Sequence, residues 1–188
     1  MKKYVLLLGL LIQAVSVLAQ EASAGKSMFS VRVGPSWYLG KMIGITNNSD
    51  AYRNDLQNGI AWDADYYFLG DKYISGSFKL APGLIYQGAR YKSTRDESSD
   101  KILMHYVAPQ LALFMVKQKY NLSLSTGVGY QHYKDRSFVF GKPRDVSMNK
   151  LAYNLSAGGE YRLFPLVGIS AKLNWIVTSS ESYSVRYH

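Results

Sequence analysis

Bulky apolar residues alternate with small or polar ones along eight stretches of this chain. Successive side chains of an extended strand point to opposite faces, so each stretch reads as a strand with one oily and one hydrophilic side. From Tyr120 to His132, one face carries Tyr120, Leu122, Leu124, Val128 and Tyr130, and the other Asn121, Ser123, Ser125, Gly127, Gly129 and Gln131. The same pattern recurs from Phe29 to Trp37, Ile60 to Phe68, Phe78 to Gln87, Tyr106 to Leu113, Leu151 to Leu163 and Val167 to Val177, and weakly from Tyr183 to Tyr187. After residue 19 no apolar run approaches the length of a membrane-spanning helix.

The large side chains lie on the oily faces, and Gly, Ser and Ala dominate the hydrophilic ones. A soluble lipocalin-like barrel would point its oily face inward. A narrow eight-stranded barrel in a membrane does the reverse, and small residues suit its cramped interior. Charges on that inner face need partners, because a lone buried charge is costly. The expected lumen network is Arg32, Asp63, Asp65, Lys79, Glu160, Lys172 and Arg186. A tight turn at Gly70 to Lys72 would set Asp63 opposite Lys79, the first loop would bring Arg32 near Asp65, and Glu160 and Arg162 share a face.

The aromatic residues sort by distance along each strand. Trp37, Trp62, Tyr86, Tyr130, Tyr153 and Trp175 fall near one set of strand ends, and Phe29, Tyr66, Phe68, Tyr120, Tyr161 and Tyr187 near the other. Amphipathic rings at both interfaces of a bilayer produce such girdles. Short connections at Gly70 to Lys72, Val116 to Lys119 and Leu163 to Pro165 alternate with long polar ones at Gly40 to Asn58, Tyr91 to Lys101 and Tyr133 to Asn149. The final link, near Ser179 to Ser182, is short where the alternation calls for a long one. The expected fold is all-β: an eight-stranded antiparallel up-and-down transmembrane β-barrel. Pro35, Pro82 and Pro109 strain it, because proline cannot donate a ladder bond and a closed barrel has no edge to hide it.

The N-terminus reads as a secretory signal peptide over residues 1–19: Lys2 and Lys3, an apolar run from Tyr4 to Ile12, then Val17 and Ala19 at a cleavage spacing. Residues 20–188 then form the barrel domain. The leader lysines account for two of the formal +9 charge. For an exported chain the relevant polyanion is lipopolysaccharide rather than nucleic acid. The chain contains no cysteine, which excludes disulfides and thiolate metal sites, and no cofactor is expected.

The segments Leu122-Ser-Leu-Ser-Thr-Gly-Val-Gly-Tyr130 and Leu155-Ser-Ala-Gly-Gly-Glu-Tyr-Arg-Leu-Phe-Pro-Leu-Val-Gly-Ile169 resemble strands of the small outer-membrane β-barrel proteins of the OmpA and OmpX type, in the porin-like superfamily. The resemblance implies location in the outer membrane, contact with its lipid and lipopolysaccharide, and insertion by the barrel assembly machinery. That machinery reads an aromatic C-terminus, where this chain has Tyr187 followed by His188. Such barrels include adhesins, structural proteins, narrow channels and lipid-modifying enzymes, so the likeness implies little about activity.

Candidate chemistry is sparse. Gly127-Val-Gly129 lies within a strand with no helix after it, which argues against a phosphate loop. His105 and His132 read as outward-facing, and two histidines alone make a poor metal site. A hydrolytic triad would require His132 to meet Ser137 and Asp135 from the following loop. The expectation is therefore a non-enzymatic barrel whose loops serve envelope integrity or contact an extracellular ligand. The alternatives are a narrow channel for small solutes and a lipid-A-modifying enzyme.

Overall fold

The computed structural model describes residues 9–11, 15–16, 27–38, 50–70, 74–95, 98–139, 142–164, 167–178 and 184–187. Seven long strands, β3 (Ser27–Tyr38), β4 (Asn58–Phe68), β5 (Phe78–Arg95), β6 (Ser98–Val116), β7 (Tyr120–Val139), β8 (Lys142–Phe164) and β9 (Val167–Thr178), pair in chain order as one antiparallel up-and-down sheet. The sheet curls into a half-barrel, far enough for Lys172 on β9 to reach Asp63 and Asp65 on β4. Two short strands, β1 (Gly9–Leu11) and β2 (Val15–Ser16), lie along the free edge of β3, and β2 also pairs with β9 at Gly168. Both fall in the segment expected to be the leader. The expected cleavage position, Ala19, lies outside the described residues.

The last expected strand, Tyr183 to Tyr187, is a strand over Ser184–Tyr187, but it pairs with β8 and adds no eighth position to the sheet order. The last strand, β10 (Ser184–Tyr187), pairs with β8 at Arg144–Ser147, in the same direction as β9. The 23-residue β8 outruns β9, whose pairing ends at Ala152 opposite Thr178, and β10 covers the edge left beyond it. The link near Ser179 to Ser182 lies outside the described residues. The β10–β8 register sets Arg186, expected in the lumen network, opposite Asp145, and its side chain lies outside the described residues.

Two of the expected long loops are strands. The β5–β6 ladder runs to Arg95 opposite Ser98, and the β7–β8 ladder to Val139 opposite Lys142. In the third long connection, residues 50–57 form a helix, α1 (Asp50–Gln57), with Tyr52 and Leu56 fully buried.

The short β4–β5 connection is wider than expected. Its register pairs Tyr67 with Gly83 and Asp63 with Gln87, not with Lys79. Residues 79–82 pair, among the described residues, with β6 alone, so Pro82 removes no hydrogen bond from the β4 side. Gly70 and Gly76 take positive φ in this connection, the backbone region where glycine is favoured. The other prolines also sit at gaps in the ladders. Pro35 falls on β3 between its β1 and β2 partners, and Pro109 lies where β6–β7 pairing skips from Val107 to Gln110.

The two faces of the sheet differ sharply. Along β6, burial alternates residue by residue from Ser98 to Phe114. Arg32, Asp63, Asp65, Gln110, Asn154 and Lys172 are buried on the inner face, while Val31, Leu84, Leu111, Leu124, Val128 and Ile169 are exposed on the outer one. This inverts the usual arrangement of a water-soluble protein. The apolar outer residues form a continuous band that spans nine to eleven residues of every long strand, for example Phe29 to Trp37, Tyr120 to Tyr130 and Tyr161 to Leu151. Beyond Tyr130 the pattern changes phase. The outer face of β5, β6 and β7 then presents Arg90, Lys92, Lys101, Lys134 and Arg136, while Tyr91, Ile102, Met104, Tyr133, Val146 and Met148 turn inward.

Candidate functional site

The interior is the place where chemistry could occur, and it is filled in layers. At the turn end Met28, Tyr67, Ala81, Ala112 and Phe114 form an apolar cluster, with the Tyr67 and Phe114 rings edge to face at 5.1 Å. Next to it lies an ion cluster. Register places Arg32 opposite Asp63. Arg32 Nε is 2.9 Å from Asp63 Oδ1, and its Nη2 pairs with Asp65. Lys172 Nζ closes the group at 2.8 Å from Asp65 Oδ2 and 3.7 Å from Asp63 Oδ2. Two cations and two carboxylates cancel, which is the condition for holding four charges at 7 % exposure or less.

The other expected lumen residues stand apart from this cluster. Lys79 sits at the turn end and donates to the Gly70 carbonyl at 3.2 Å. Glu160 lines the same small cavity as Arg32, Asp65 and Lys172, while Arg162 reaches the Asn121 amide; the two form no ion pair within 4 Å among the described residues. That cavity offers about 30 Å³ to the centre of a water-sized sphere. This is room for about two waters.

Deeper in, a hydrogen-bonded layer crosses the sheet. Tyr67 donates to Gln110, whose amide donates to Asn154, and Asn154 donates to the Trp175 carbonyl at 3.3 Å. Ser125 and Ser156 bond to each other beside it. Ile85, Tyr106, Ala108, Ala152 and Ile176 pack next. A second cavity of about 30 Å³ separates this layer from the loop end. There α1 closes the mouth: Tyr52 and Leu56 pack with Tyr38, Tyr91, Ile102, Met104, Tyr133 and Met148.

The Tyr52 hydroxyl donates to Asp100 Oδ2 at 2.9 Å and ties α1 to β6. Asp135 lies nearby, fully buried, accepting from Ser137 Oγ at 2.9 Å with Arg144 Nη2 at 3.9 Å. Burial and the neighbouring Asp100 push its carboxyl up to about 7, against the opposing pull of Ser137 and Arg144. Asp135 and Ser137 face inward, whereas His132 lies on the outer face bonded to Asn149, so the three do not form a triad. His105 and His132 are opposite each other on β6 and β7, and Tyr86 bonds His105 at 2.7 Å. Among the described residues no three His, Cys, Asp or Glu side chains gather as a metal site would require.

Phe29, Trp37, Trp62, Tyr66, Tyr86, Tyr120, Tyr130, Tyr153, Tyr161 and Trp175 all lie on the outer face, near the two margins of the apolar band. The side chain of Tyr187 is outside the described residues. Trp62 lies flat across Gly88, where a Cβ would approach the indole to 2.2 Å. Glycine there lets the ring lie against the strand and meet His105 edge-on at 6.3 Å.

Sequence reasoning missed Gln110, Asn154, Tyr52 and Asp100. Gln110 and Asn154 were visible as inward polar positions without charge. Tyr52 and Leu56, four apart, carried a helical signal too brief to stand out. No protein-family model, curated protein or solved structure matches this chain.

Proposed function

We propose that this protein is a closed β-barrel of the Gram-negative outer membrane, of the OmpA and OmpX kind, with a non-enzymatic role in envelope integrity or surface recognition. The observation that carries the reading is the change of phase beyond Tyr130. An apolar outer face over a polar interior is stable in hydrocarbon, and a charged outer face over an apolar interior is stable in water. One strand, β7, carries the change: its outer face is apolar from Tyr120 to Tyr130 and then presents Lys134 and Arg136, while Tyr133 turns inward beside the buried Asp135 and Ser137. The place where they meet is a membrane surface. At about 3.3 Å per residue and a tilt near 40°, the apolar stretch rises about 25 Å, the height of the band on outer-membrane barrels.

In this reading the layered interior blocks solute flow, and the β5–β8 wall projects from the cell as the recognition surface. The test is cell fractionation combined with heat-modifiable migration in detergent gels and planar-bilayer conductance. The account expects the protein in the outer-membrane fraction, a folded form that migrates differently from the boiled one, and a silent bilayer. Recovery from the soluble periplasm refutes the membrane reading, and stable single-channel steps refute the plugged interior in favour of a narrow channel.

A further inference from the structure

The charged side chains above the outer aromatic band form ordered rows. Register places Lys92 opposite Lys101 and Lys101 opposite Arg136, so three cations from β5, β6 and β7 stand side by side. One row closer to the apolar band, Arg90 is opposite Leu103, and Leu103 is opposite Lys134. Paired strands are about 4.8 Å apart, so directly opposed like charges repel and destabilise the ladder. Asp145 is the only acid on this part of the outer face among the described residues; it stands opposite Arg136 and lies 3.6 Å from Lys134. Arg90, Lys92, Lys101 and Arg136 make no ion pair or hydrogen bond with any described residue.

Among the described residues Asp145 alone offers this row counter-charge, so most of it must come from elsewhere. The direction the row faces says where that charge comes from. These side chains point the same way as Tyr86, Val107 and Tyr130 two rows and more below them, sideways from the sheet and not up from its rim. Strand rise and tilt put them about 10 to 15 Å above the margin of the apolar band. In a bilayer that position faces the headgroups of the surrounding outer leaflet.

We propose that Arg90, Lys92, Lys101, Lys134 and Arg136 form a binding site for the phosphate groups of outer-leaflet lipopolysaccharide. The site rests on the outer-membrane reading above. It predicts a sign inversion that a passively solvated surface does not. Without phosphorylated lipid the row repels itself, and with it the row is held together.

The experiment compares the wild-type full-length chain with the Lys92→Gln/Lys101→Gln/Arg136→Gln variant, both refolded into phosphatidylcholine vesicles. Phosphorylated lipid A and its dephosphorylated form are titrated in turn. The wild type is expected to prefer the phosphorylated lipid, and the triple variant to lose about 100-fold of that preference, roughly fivefold for each of the three charges removed near an anionic surface. The triple variant is also expected to unfold at a higher temperature than wild type in pure phosphatidylcholine, and at a lower one once phosphorylated lipid A is present. Lys117→Gln/Lys119→Gln, at the exposed turn end, serves as the control and retains the preference.

Equal affinity of the wild type for both lipids overturns the site while leaving the membrane reading intact, since both proteins have inserted. Inorganic phosphate competing as strongly as the lipid overturns the lipid as ligand. Failure of the wild type to insert at all overturns the membrane reading and the site with it.

Discussion

Replacing Lys172 by Met removes one charge from the neutral interior cluster with little change of volume. At an effective dielectric near 20, the 2.8 Å contact with Asp65 and the 3.7 Å contact with Asp63 are worth about 6 and about 4 kcal/mol of gross attraction. Repulsion from Arg32 and the several kcal/mol spent taking an ammonium out of water offset much of that. What remains is the cost of stranding a carboxylate, because Asp63 and Asp65 are 1 % and 2 % exposed and Arg32 can neutralise one of them. We expect Lys172→Met to destabilise the barrel by about 3 to 5 kcal/mol. Asp65→Asn combined with it restores neutrality and should recover about half of the loss. Urea unfolding in detergent micelles, followed by tryptophan fluorescence and gel migration, measures both. A Lys172→Met loss under about 1 kcal/mol, or a double variant as unstable as the sum of its single changes, refutes the idea that the cluster acts as one neutral unit.

The remaining predictions concern different levels of the molecule. Asp135 is held protonated in the folded cap up to about 7, whereas the unfolded chain releases that proton near 3.8, so cap stability falls as pH rises between those values and is level above them. Hydrogen-exchange protection of α1, corrected for intrinsic rates, should be higher at pH 5.5 than at pH 8, and Asp135→Asn should abolish the difference. Tyr52→Phe removes the bond to Asp100 and should cost about 1 to 3 kcal/mol, seen as faster proteolysis within the β3–β4 connection of the folded protein. At Gly129 a Cβ would lie 2.1 Å from the Val107 carbonyl oxygen, so Gly129→Ala should unfold at lower urea; an unchanged midpoint shows that the strands can part. Leu124→Arg places a charge at mid-band and should cost about 2 to 4 kcal/mol in phosphatidylcholine, whereas Arg136→Leu, above the band, should not destabilise the protein in that lipid.

The long strands were legible in the sequence because one physical rule governs them: neighbouring residues face opposite sides of the sheet. The rule also explains where reading failed. From Tyr91 to Thr94, Ser98 to Lys101 and Tyr133 to Phe138 burial still alternates, but the outer face becomes charged and the inner one mixes aromatic and apolar residues with polar ones. A search for oily-outward pattern finds only polar loop there, although Tyr91, Ile102 and Tyr133 mark the inner face. Register failed for a different reason. The pairing of Asp63 depends on how many residues the β4–β5 connection consumes, and the positive-φ turns at Gly70 and Gly76 have no unique length in sequence. Arg32 and Asp65 were still expected near each other, because the first loop sets the β3–β4 register roughly and Arg32 lies opposite Asp63, two residues from Asp65 on the same face. Lys172 was readable as an inner-face cation, but its partners lie across the curl of the sheet, 107 and 109 residues away in sequence, where no local signal reaches.

The most direct test of the account is the solvent met by the outer face of one strand. The chain has no native cysteine, so single cysteines can carry spin labels along β7 at Leu122, Leu124, Val128, Lys134 and Arg136 in vesicles. The account predicts high oxygen and low nickel-chelate accessibility from Leu122 to Val128, reversing by Lys134. Nickel-chelate accessibility that stays high along the whole series would mean the apolar band meets water, and would contradict it.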